Sequence, residues 1–382
     1  MNVEQLFEQH FGKKPEIVTR APGRVNLIGE HMDYNEGFVL PVAIDKEIRL
    51  AAATNKSDSC RIYSETLEQE ASFKFGEDAQ KVEAWLRPIA GMAWAISEHT
   101  SQSLPGVDIV ITSNLPIGAG LSSSAAIEMA PGVMWNTLGG LEIPPTQLAL
   151  LGQKCENEFM GLRSGIMDQM TSMLGQEDAA LFIDTRDLST QIIPIPPDLT
   201  ILVLDTGKSR KLASSKYNER RSECEQAIKE IQQLFPNITS LRDVTSEMLD
   251  QVYGIMTDIS KRRARHVVHE NERVKRMLTS LCIDNRQAVH ALMAASHESL
   301  RFDYEVSSDE LDLMVDSADF TPGCVGVRMT GAGFGGACVA LVETARVNDF
   351  AQICERTYSQ RTDYSPKITV CKAVKGASVV NY

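Results

Sequence analysis

Short apolar runs bounded by polar and turn-forming residues dominate the first third of the chain, a pattern typical of β-strands. The strands predicted there are Glu16–Thr19, Phe38–Ile44, Ile48–Ala53, Cys60–Ser64 and Val107–Thr112. Apolar positions then recur at helical spacing, and the predicted helices are Ala126–Leu138, Gln147–Phe159 and Gly165–Leu174. Strands and helices in separate blocks predict an α+β fold.

Strands return in the middle of the chain before a long helical region. The strands are predicted at Ala180–Asp184, Thr190–Ile195 and Thr200–Asp205, and the helical region from about Ser214 to Ala318. The end is predicted as strand, strand, helix and strand, at Val325–Met329, Ala337–Leu341, Val347–Tyr358 and Ile368–Ala373. Because Pro194, Pro196 and Pro197 cluster, we predict a domain boundary there, with domains 1–195 and 196–382.

Composition narrows the class of protein. A chain of 382 residues with 43% hydrophobic and 23% charged residues is long enough for two globular domains. The formal net charge of −13 argues against binding to nucleic acids or anionic membranes, which needs an excess of Lys and Arg. Small molecules are therefore the expected partners, and we expect a monomer with no protein partner.

Neither a targeting signal nor a metal-binding cysteine pattern is evident. Residues 1–10 are polar and acidic, unlike a signal peptide, and the longest uncharged run, 109–127, is broken by Pro116 and by glycines. The eight cysteines include no CxxC pair, which argues against a zinc site or a disulfide framework. We expect a cytoplasmic protein with reduced thiols and no membrane span.

The segment LPIGAGLSSSAAIE, residues 115–128, lies between a predicted strand and a predicted helix. Gly118 and Gly120 let the backbone approach a ligand, and the N–H groups and positive dipole end of the helix suit an anion. The segment is no Walker A loop, because the lysine of that motif is missing. It predicts a phosphate-binding loop, although a purely structural turn fits the same residues.

A second glycine-rich segment, VRMTGAGFGGACVALV, contains a literal GxGxxG at residues 331–336. This motif suggests a dinucleotide-binding oxidoreductase, but the residues that follow it favour a strand over a helix. Too little chain remains after it for a doubly wound fold. We therefore regard an oxidoreductase as the weaker alternative.

Polar side chains are concentrated in the stretch RVNLIGEHMDYNEG, residues 24–37. Glu30, His31 and Asp33 directly follow an apolar run that ends at Gly29. They could form a solvated turn between two strands. Alternatively, two acceptors and a group that donates or accepts form a cluster for a polyhydroxylated ligand.

Four segments together resemble the galactokinases of the GHMP small-molecule kinase superfamily, in order and at the expected spacing. They are RAPGRVNLIGEHMDYNEGFVLP, PIGAGLSSSAAIE, CENEF with GIMDQ, and GVRMTGAGFGG. The resemblance continues through KYNERRSECE and RARHVVHENERV, so it covers nearly the whole chain. It implies the two-domain GHMP kinase fold with the active site in the cleft between the domains.

The resemblance also implies a site for ATP and Mg²⁺. The phosphate loop would comprise Gly118, Ala119, Gly120, Leu121, Ser122, Ser123 and Ser124. Ser124 and Glu156 would hold Mg²⁺, and a hydroxyl and a carboxylate are suitable hard oxygen ligands. Ser64 and Trp85 match positions near the nucleotide, less specifically.

The same resemblance implies phosphorylation of galactose at its anomeric hydroxyl, giving galactose 1-phosphate and ADP, the first committed step of the Leloir pathway. Asp168 would take the proton from that hydroxyl, and Arg24 beside it would keep the carboxylate ionised and stabilise charge on the phosphoryl group. By composition alone, Asp168 could equally be a carboxylate on a helix surface.

The sugar contacts follow from the resemblance as well. Glu30 and His31 would bind the 6-hydroxyl, Asp33 the 3- and 4-hydroxyls, and Tyr217 with the backbone near Gly165 would complete the site.

Met32 belongs to the same substrate-binding stretch. If the backbone there is extended, the Met32 side chain points away from His31 and Asp33 into packing. The alternative is that Met32 lines the pocket.

Four residues depart from the usual family pattern, and two alternative functions stay open. Met32 replaces a threonine, Pro88 an aromatic residue and Ala332 a glycine, while Pro131 lies inside the helix after the phosphate loop.

One alternative function is a non-catalytic sensor of sugar and ATP, and the other is a GHMP kinase for N-acetylgalactosamine, arabinose or mevalonate. A metal at His266 and His269 lacks an evident third ligand.

Overall fold

Thirteen strands and eleven helices are present in the residues that the computed structural model describes, 1–116, 120–208 and 213–380. The strands are β1 Ile17–Asn26, β2 Phe38–Val39, β3 Pro41–Thr54, β4 Ser59–Ser64, β5 Gln69–Lys74, β6 Val107–Ser113, β7 Ala179–Asp184, β8 Thr190–Pro194, β9 Leu199–Asp205, β10 Cys324–Met329, β11 Ala337–Glu343, β12 Lys367–Cys371 and β13 Ser378–Val379. The helices are α1 Val3–Phe11, α2 Arg87–Thr100, α3 Ser123–Leu138, α4 Pro145–Lys154, α5 Met167–Leu174, α6 Ala213–Ile231, α7 Ser246–Val252, α8 Asp258–Cys282, α9 Arg286–Phe302, α10 Asp309–Asp319 and α11 Val347–Ser359.

The larger sheet has six strands in the order β13-β1-β3-β6-β4-β5, antiparallel except for the β4–β6 pair. Helix α1 packs on one face through Val3 and Phe7, and α3 and α5 pack against β1 and β3. A three-stranded sheet, β2-β7-β8, extends this half of the molecule. The pairing of β1 with β3 shifts register between Pro22 and Arg24, which places Arg24 beside the start of α3.

The second half is built on the antiparallel sheet β10-β11-β9-β12, covered by α9, α10 and α11. The chain changes from one sheet to the other between Pro194 at the end of β8 and Leu199 at the start of β9. The C-terminal end of the chain returns to the six-stranded sheet, where β13 pairs with Thr19 and Arg20 of β1. Segregated sheets and helices confirm the α+β class.

The strands predicted at Phe38–Ile44 and Ile48–Ala53 are wrong in their bounds. Strand β3 runs without a break through Asp45, Lys46 and Glu47, the residues between the two predicted strands. Glu47 is tolerated within the strand because Arg20 and Arg49 pair with its two carboxylate oxygens at 2.7 and 2.6 Å.

Two prolines that depart from the family pattern lie in helices, where proline removes a hydrogen-bond donor. Pro88 occupies the first turn of α2, where a backbone N–H has no helical partner and proline is favoured. Pro131 lies inside α3, which nevertheless continues from Ser123 to Leu138. The Thr19 hydroxyl donates to the carbonyl of Ala130 at 2.9 Å, a tertiary contact that holds α3 against β1 there.

Candidate active site

A cavity of about 410 Å³ is lined by residues from both halves of the chain. Its walls are the end of β1, the polar stretch after it, the start of α3, the turn Cys155–Phe159, the segment before α5 and α5 itself, helix α6, and the loop between β10 and β11. The lining residues are Arg24, Glu30, His31, Asp33, Gly120, Ser122, Ser123, Ser124, Glu156, Leu162, Ser164, Gly165, Met167, Asp168, Tyr217, Gly331 and Ala332. Most of the predicted site residues therefore share one cavity.

Arg24 and Asp168 form a two-pronged ion pair in this cavity. Arg24 Nε donates to Asp168 Oδ1 at 2.8 Å, and Nη2 donates to Oδ2 at 2.9 Å. The third guanidinium nitrogen, Nη1, donates to the carbonyl of Gly120 at 2.7 Å. Ser122 Oγ also donates to Asp168 Oδ2. The carboxylate is thus held in one orientation by the strand and by the glycine-rich loop.

Gly23 explains how β1 reaches the phosphate loop. A Cβ atom at Gly23 would lie 2.5 Å from the carbonyl oxygen of Leu121, so only glycine fits. The backbone N–H of Arg24 donates to that same carbonyl at 3.0 Å. This contact brings the guanidinium of Arg24 against the loop.

Asp33 begins a short 3₁₀ helix, Asp33–Asn35, and its carboxylate faces the cavity. Its Oδ1 accepts the backbone N–H of Tyr34 at 3.1 Å, and its Oδ2 accepts that of Met167 at 3.3 Å. A Cβ atom at Gly165 would lie 2.0 Å from Oδ2, so Gly165 is required by close packing. Burial, assisted by the nearby Asp168 carboxylate, raises the pKa of Asp33 to about 6.

Glu30 binds the loop between β10 and β11. Its Oε1 accepts the N–H of Gly331 at 2.6 Å and the hydroxyl of Thr330 at 3.2 Å. Its Oε2 accepts Arg328 Nη1 at 2.8 Å and the side-chain amide of Asn26. These four donors fill the acceptor positions of a carboxylate, so a sugar hydroxyl would have to replace one of them.

His31 binds the next residue of the same loop, because its Nε2 lies 3.3 Å from the carbonyl oxygen of Ala332. Its backbone is left-handed, with φ of 62°, and Asn35 Nδ2 donates to its carbonyl at 2.8 Å. Burial, followed by the charge of His266, lowers the pKa of His31 to about 3, so the ring is neutral at neutral pH. Ala332 has a negative φ, which explains why alanine is tolerated there.

The described part of the phosphate loop leads directly into α3. Ser122 precedes the helix in a left-handed conformation, with φ of 57° and ψ of 48°, and Ser123 begins it. The first N–H groups of α3 have no partner within the helix, and its dipole is positive at this end, so the position suits phosphate. Gly118 and Ala119, which were predicted to belong to this loop, lie outside the described residues.

Glu156 and Ser124 lie close together in the cavity. Glu156 belongs to a single π-helical turn, Cys155–Phe159, and accepts a hydrogen bond from Ser164 Oγ. The Ser124 hydroxyl is also within hydrogen-bonding reach of this carboxylate. Burial raises the pKa of Glu156, and the Asp168 carboxylate adds to the effect. A divalent cation would relieve this concentration of negative charge.

The residues present fit Mg²⁺, which prefers oxygen ligands and usually takes one or two from the protein and the rest from water and substrate phosphates. Ser124 and Glu156 supply a hydroxyl and a carboxylate beside the anion-binding end of α3. Within residues 1–116, 120–208 and 213–380, no group of three or more His, Cys, Asp or Glu could hold a metal by itself. His266 is instead buried between Ser299 and the carbonyl of Glu30.

Four predicted residues do not line the cavity: Met32, Ser64, Trp85 and Leu121. Leu121 is buried, and its carbonyl supports Arg24. Ser64 accepts the N–H of Leu67 at 3.3 Å, and Trp85 donates to Glu83 at 3.0 Å.

Met32 requires a correction. The expected extended backbone is wrong, because Met32 has φ of −93° and ψ of −28° and leads into the 3₁₀ helix. Its carbonyl accepts the N–H groups of Asn35 and Gly37, so a tight turn replaces the extended chain. The side chain is fully buried all the same, and packs against Gly37.

Sequence reasoning missed five lining residues: Leu162, Ser164, Met167, Gly331 and Ala332. Gly331 and Ala332 belong to the GxGxxG motif at residues 331–336, for which we rejected a dinucleotide-binding role. The motif lines this cavity instead. Ser164 and Met167 flank predicted site residues, and only the fold shows that they face the cavity.

Three segments match known protein-family models. Residues 5–54 match the galactokinase galactose-binding signature, residues 87–176 the GHMP kinases N terminal domain, and residues 277–360 the GHMP kinases C terminal domain. A crystal structure of mevalonate kinase aligns with a TM-score of 0.64 over 94% of this chain and 100% of that one, at 18% identity. Fold and site together define a GHMP kinase.

Full-length relatives narrow the class further. The chain is 41% identical to a galactokinase of Roseiflexus sp. (strain RS-1) over 378 residues, which cover 99% of this chain and 96% of that protein. It is 37% identical to a galactokinase of Haemophilus influenzae over 99% of each chain. The crystal structure of Lactococcus lactis galactokinase complexed with galactose aligns with a TM-score of 0.93 at 34% identity, over 98% of each chain. The chain belongs to the galactokinase family and is a sugar kinase.

Proposed function

We propose that this chain transfers the terminal phosphoryl group of ATP to the anomeric hydroxyl of galactose, releasing galactose 1-phosphate and ADP. The observation that carries the proposal is the placement of Asp168, Arg24 and Asp33 around one cavity, beside the N-terminus of α3. One side of the cavity offers acceptors for sugar hydroxyls. The other offers N–H groups and a cationic side chain for phosphate.

Asp33 is the residue best placed to select galactose. Its carboxylate is fixed by two backbone N–H groups and has lone pairs left for two hydroxyls, the 3- and 4-hydroxyls of the sugar. Tyr217 and the Gly165 backbone close the same side of the cavity. A sugar with an equatorial 4-hydroxyl leaves this carboxylate poorly paired, which disfavours glucose.

His31 and Glu30 define the 6-hydroxyl side of the sugar. His31 lines the cavity and contacts the Ala332 carbonyl through Nε2, and Glu30 keeps the Gly331 loop in position. The expected direct contact of Glu30 with the 6-hydroxyl requires one of its four present donors to leave. Nε2 of His31 has a single contact, of 3.3 Å, with the Ala332 carbonyl, so a sugar oxygen displaces less there than at Glu30, and we assign the stronger contact to His31.

Asp168 accepts the proton of the anomeric hydroxyl as the oxygen attacks the γ-phosphorus. Arg24 pairs with both oxygens of that carboxylate and, through the same guanidinium, faces the negative charge that develops on the transferred group. Phosphoryl transfer depends mainly on alignment and charge neutralisation. The fixed geometry of Arg24 is therefore expected to contribute at least as much to the rate as the proton acceptor.

The nucleotide binds with its phosphates over Gly120 and Ser122 to Ser124, where the start of α3 supplies N–H donors. Ser124 and Glu156 hold Mg²⁺, which when bound neutralises phosphate charge. Glu156 is kept in place by Ser164. Ser64 and Trp85 do not line this cavity and remain candidates for contacts with the nucleotide.

The direct test is ADP release from Mg-ATP with a panel of sugars. We expect turnover with galactose and a kcat/KM for glucose lower by on the order of 10⁴-fold. Faster turnover with N-acetylgalactosamine, arabinose or mevalonate would contradict the substrate assignment. Binding of galactose and ATP without ADP release would identify a sensor rather than an enzyme.

We also propose that the chain works as a cytoplasmic monomer. All eight cysteines are free thiols, as is usual in reducing compartments. No helix among the described residues has the length and apolar character to cross a membrane. Light scattering after size exclusion measures the oligomeric state, and a dimer mass would contradict the proposal.

A further inference from the structure

Both ring nitrogens of His31 are bound by protein groups. Nε2 lies 3.3 Å from the carbonyl oxygen of Ala332, and Nδ1 lies 2.9 Å from the hydroxyl oxygen of Tyr34. Because a carbonyl oxygen only accepts, the proton of the neutral ring is on Nε2. Nδ1 is then an acceptor, and the Tyr34 hydroxyl must donate to it.

Two further buried groups continue the row behind Tyr34. Tyr34 has used its only proton on His31, so it accepts from the Tyr304 hydroxyl, 2.7 Å away. Tyr304 has in turn used its proton, which leaves Cys224 Sγ, 3.1 Å from it, as the donor. We call Cys224, Tyr304 and Tyr34 the relay. All its donors point toward His31.

Ring packing holds Tyr34 and Tyr304 of the relay against the imidazole of His31. Tyr304 is fully buried, and its ring centre lies 4.8 Å from that of His31 and 4.5 Å from that of His266. The Tyr34 ring meets His31 nearly edge-on at 5.9 Å. Substituting phenylalanine for either tyrosine would keep these contacts and remove only a hydroxyl.

We propose that Tyr34 and Tyr304 are positioning residues of the sugar site, which hold His31 in its Nε2-protonated form, so that the N–H now directed at the Ala332 carbonyl, 3.3 Å away, is a donor that the 6-oxygen of galactose can share or take over. The inference rests on the proposed function, in which His31 faces that oxygen. Without the Tyr34 hydroxyl, the neutral ring is free to carry its proton on Nδ1. Nε2 would then be an acceptor and would repel the Ala332 carbonyl.

The tautomer can be measured directly by ¹⁵N nuclear magnetic resonance of histidine-labelled protein at pH 7, with His31 assigned from the spectrum of His31→Gln. We expect His31 to be protonated on Nε2 in the parent protein. In Tyr34→Phe its two nitrogen shifts should move toward each other, and in Tyr304→Phe they should move less, in the same direction. A parent ring protonated on Nδ1, or unchanged shifts in Tyr34→Phe, would overturn the proposal.

Kinetics separate positioning from general stability. Galactose and 6-deoxygalactose differ only in the 6-hydroxyl, so the relay should matter for the first sugar alone. We expect Tyr34→Phe to raise KM for galactose about 5-fold, with little change in kcat and no change in KM for 6-deoxygalactose. An equal rise in KM for both sugars would overturn the proposal.

Tyr358→Phe is the matched control. Tyr358 is also fully buried, donates one hydrogen bond of 2.9 Å to the Thr206 carbonyl, and does not line the cavity. Loss of the Tyr358 hydroxyl should lower the stability of the protein without changing KM for either sugar. If the parent protein phosphorylates neither sugar, the proposed function fails, whereas the tautomer measurement still decides whether the relay sets His31.

Discussion

Replacing Gly165 by alanine tests how closely the sugar-binding carboxylate is packed. The added Cβ would lie 2.0 Å from Asp33 Oδ2, whereas ordinary van der Waals contacts begin at 3.4 Å. The carboxylate would have to retreat by about 1.4 Å, which breaks its hydrogen bond with the Met167 N–H. A misplacement of about 1 Å in a catalytic site costs on the order of 10²-fold. We expect kcat/KM for galactose to fall by about that factor.

The assay for Gly165→Ala is steady-state ADP release with galactose varied at saturating Mg-ATP, together with thermal unfolding to verify that the variant is folded. Gly254→Ala is the matched control, because a Cβ there meets nothing within 4 Å and φ is not positive. The control should keep parental kinetics. A folded Gly165→Ala protein with kcat/KM within about 3-fold of the parent would refute the reasoning about Asp33.

Three further predictions concern Asp168, Asp33 and Met32. Asp168→Asn should keep galactose and ATP binding within a few-fold while kcat falls about 10²- to 10⁴-fold, because the amide cannot accept the proton; near-normal turnover would remove Asp168 from its role. Because burial raises the pKa of Asp33 to about 6, its acceptor form is present above that pH, so kcat/KM for galactose should fall as pH drops below about 6. Asp33→Asn should abolish that limb of the pH profile, and an unchanged limb would assign it to another group. Met32→Thr should lower the free energy of unfolding, measured by urea denaturation, by about 2 kcal/mol, because the smaller side chain leaves part of a fully buried site empty. KM for galactose should not change. A several-fold change in KM with unchanged stability would place Met32 in the pocket.

The polar cluster after β1 could be found from the sequence because its residue types are unusual directly behind an apolar strand. Glu30, His31 and Asp33 do share one cavity. The sequence could not show that Glu30 and His31 bind the backbone of Gly331 and Ala332, because that loop lies about three hundred residues further along the chain. Such long-range pairing is a property of the fold rather than of local pattern.

Helix α2 shows why part of the fold was not predicted. Its sequence contains Pro88 and Gly91, which ordinarily indicate a turn. In the structure Pro88 occupies the first turn of the helix, and Gly91 is needed because a Cβ there would lie 2.4 Å from Cys155 Sγ. Tertiary packing thus explains both residues, and neither reason is visible in a local window.

The backbone conformation at His31 and Met32 was also not predicted from the sequence. Met32 was expected to point into packing because of an extended chain, and it is buried instead by a turn in which His31 is left-handed. The left-handed residue is held by Asn35, four positions away, whose side chain donates to the His31 carbonyl. Histidine in the left-handed conformation and asparagine in turns are both common. The alternation of side chains along an extended strand, however, does not predict where such a turn forms.

The position of the transferred phosphate tests the central claim most directly, because only the anomeric hydroxyl is expected to face Asp168. The product formed from galactose and Mg-ATP should show coupling between phosphorus and the anomeric proton in its nuclear magnetic resonance spectrum. Methyl galactoside, whose anomeric oxygen is blocked, should not react. Phosphate found on another carbon, or turnover of methyl galactoside, would contradict the assignment of Asp168, Arg24 and Asp33 as the galactose-phosphorylating site.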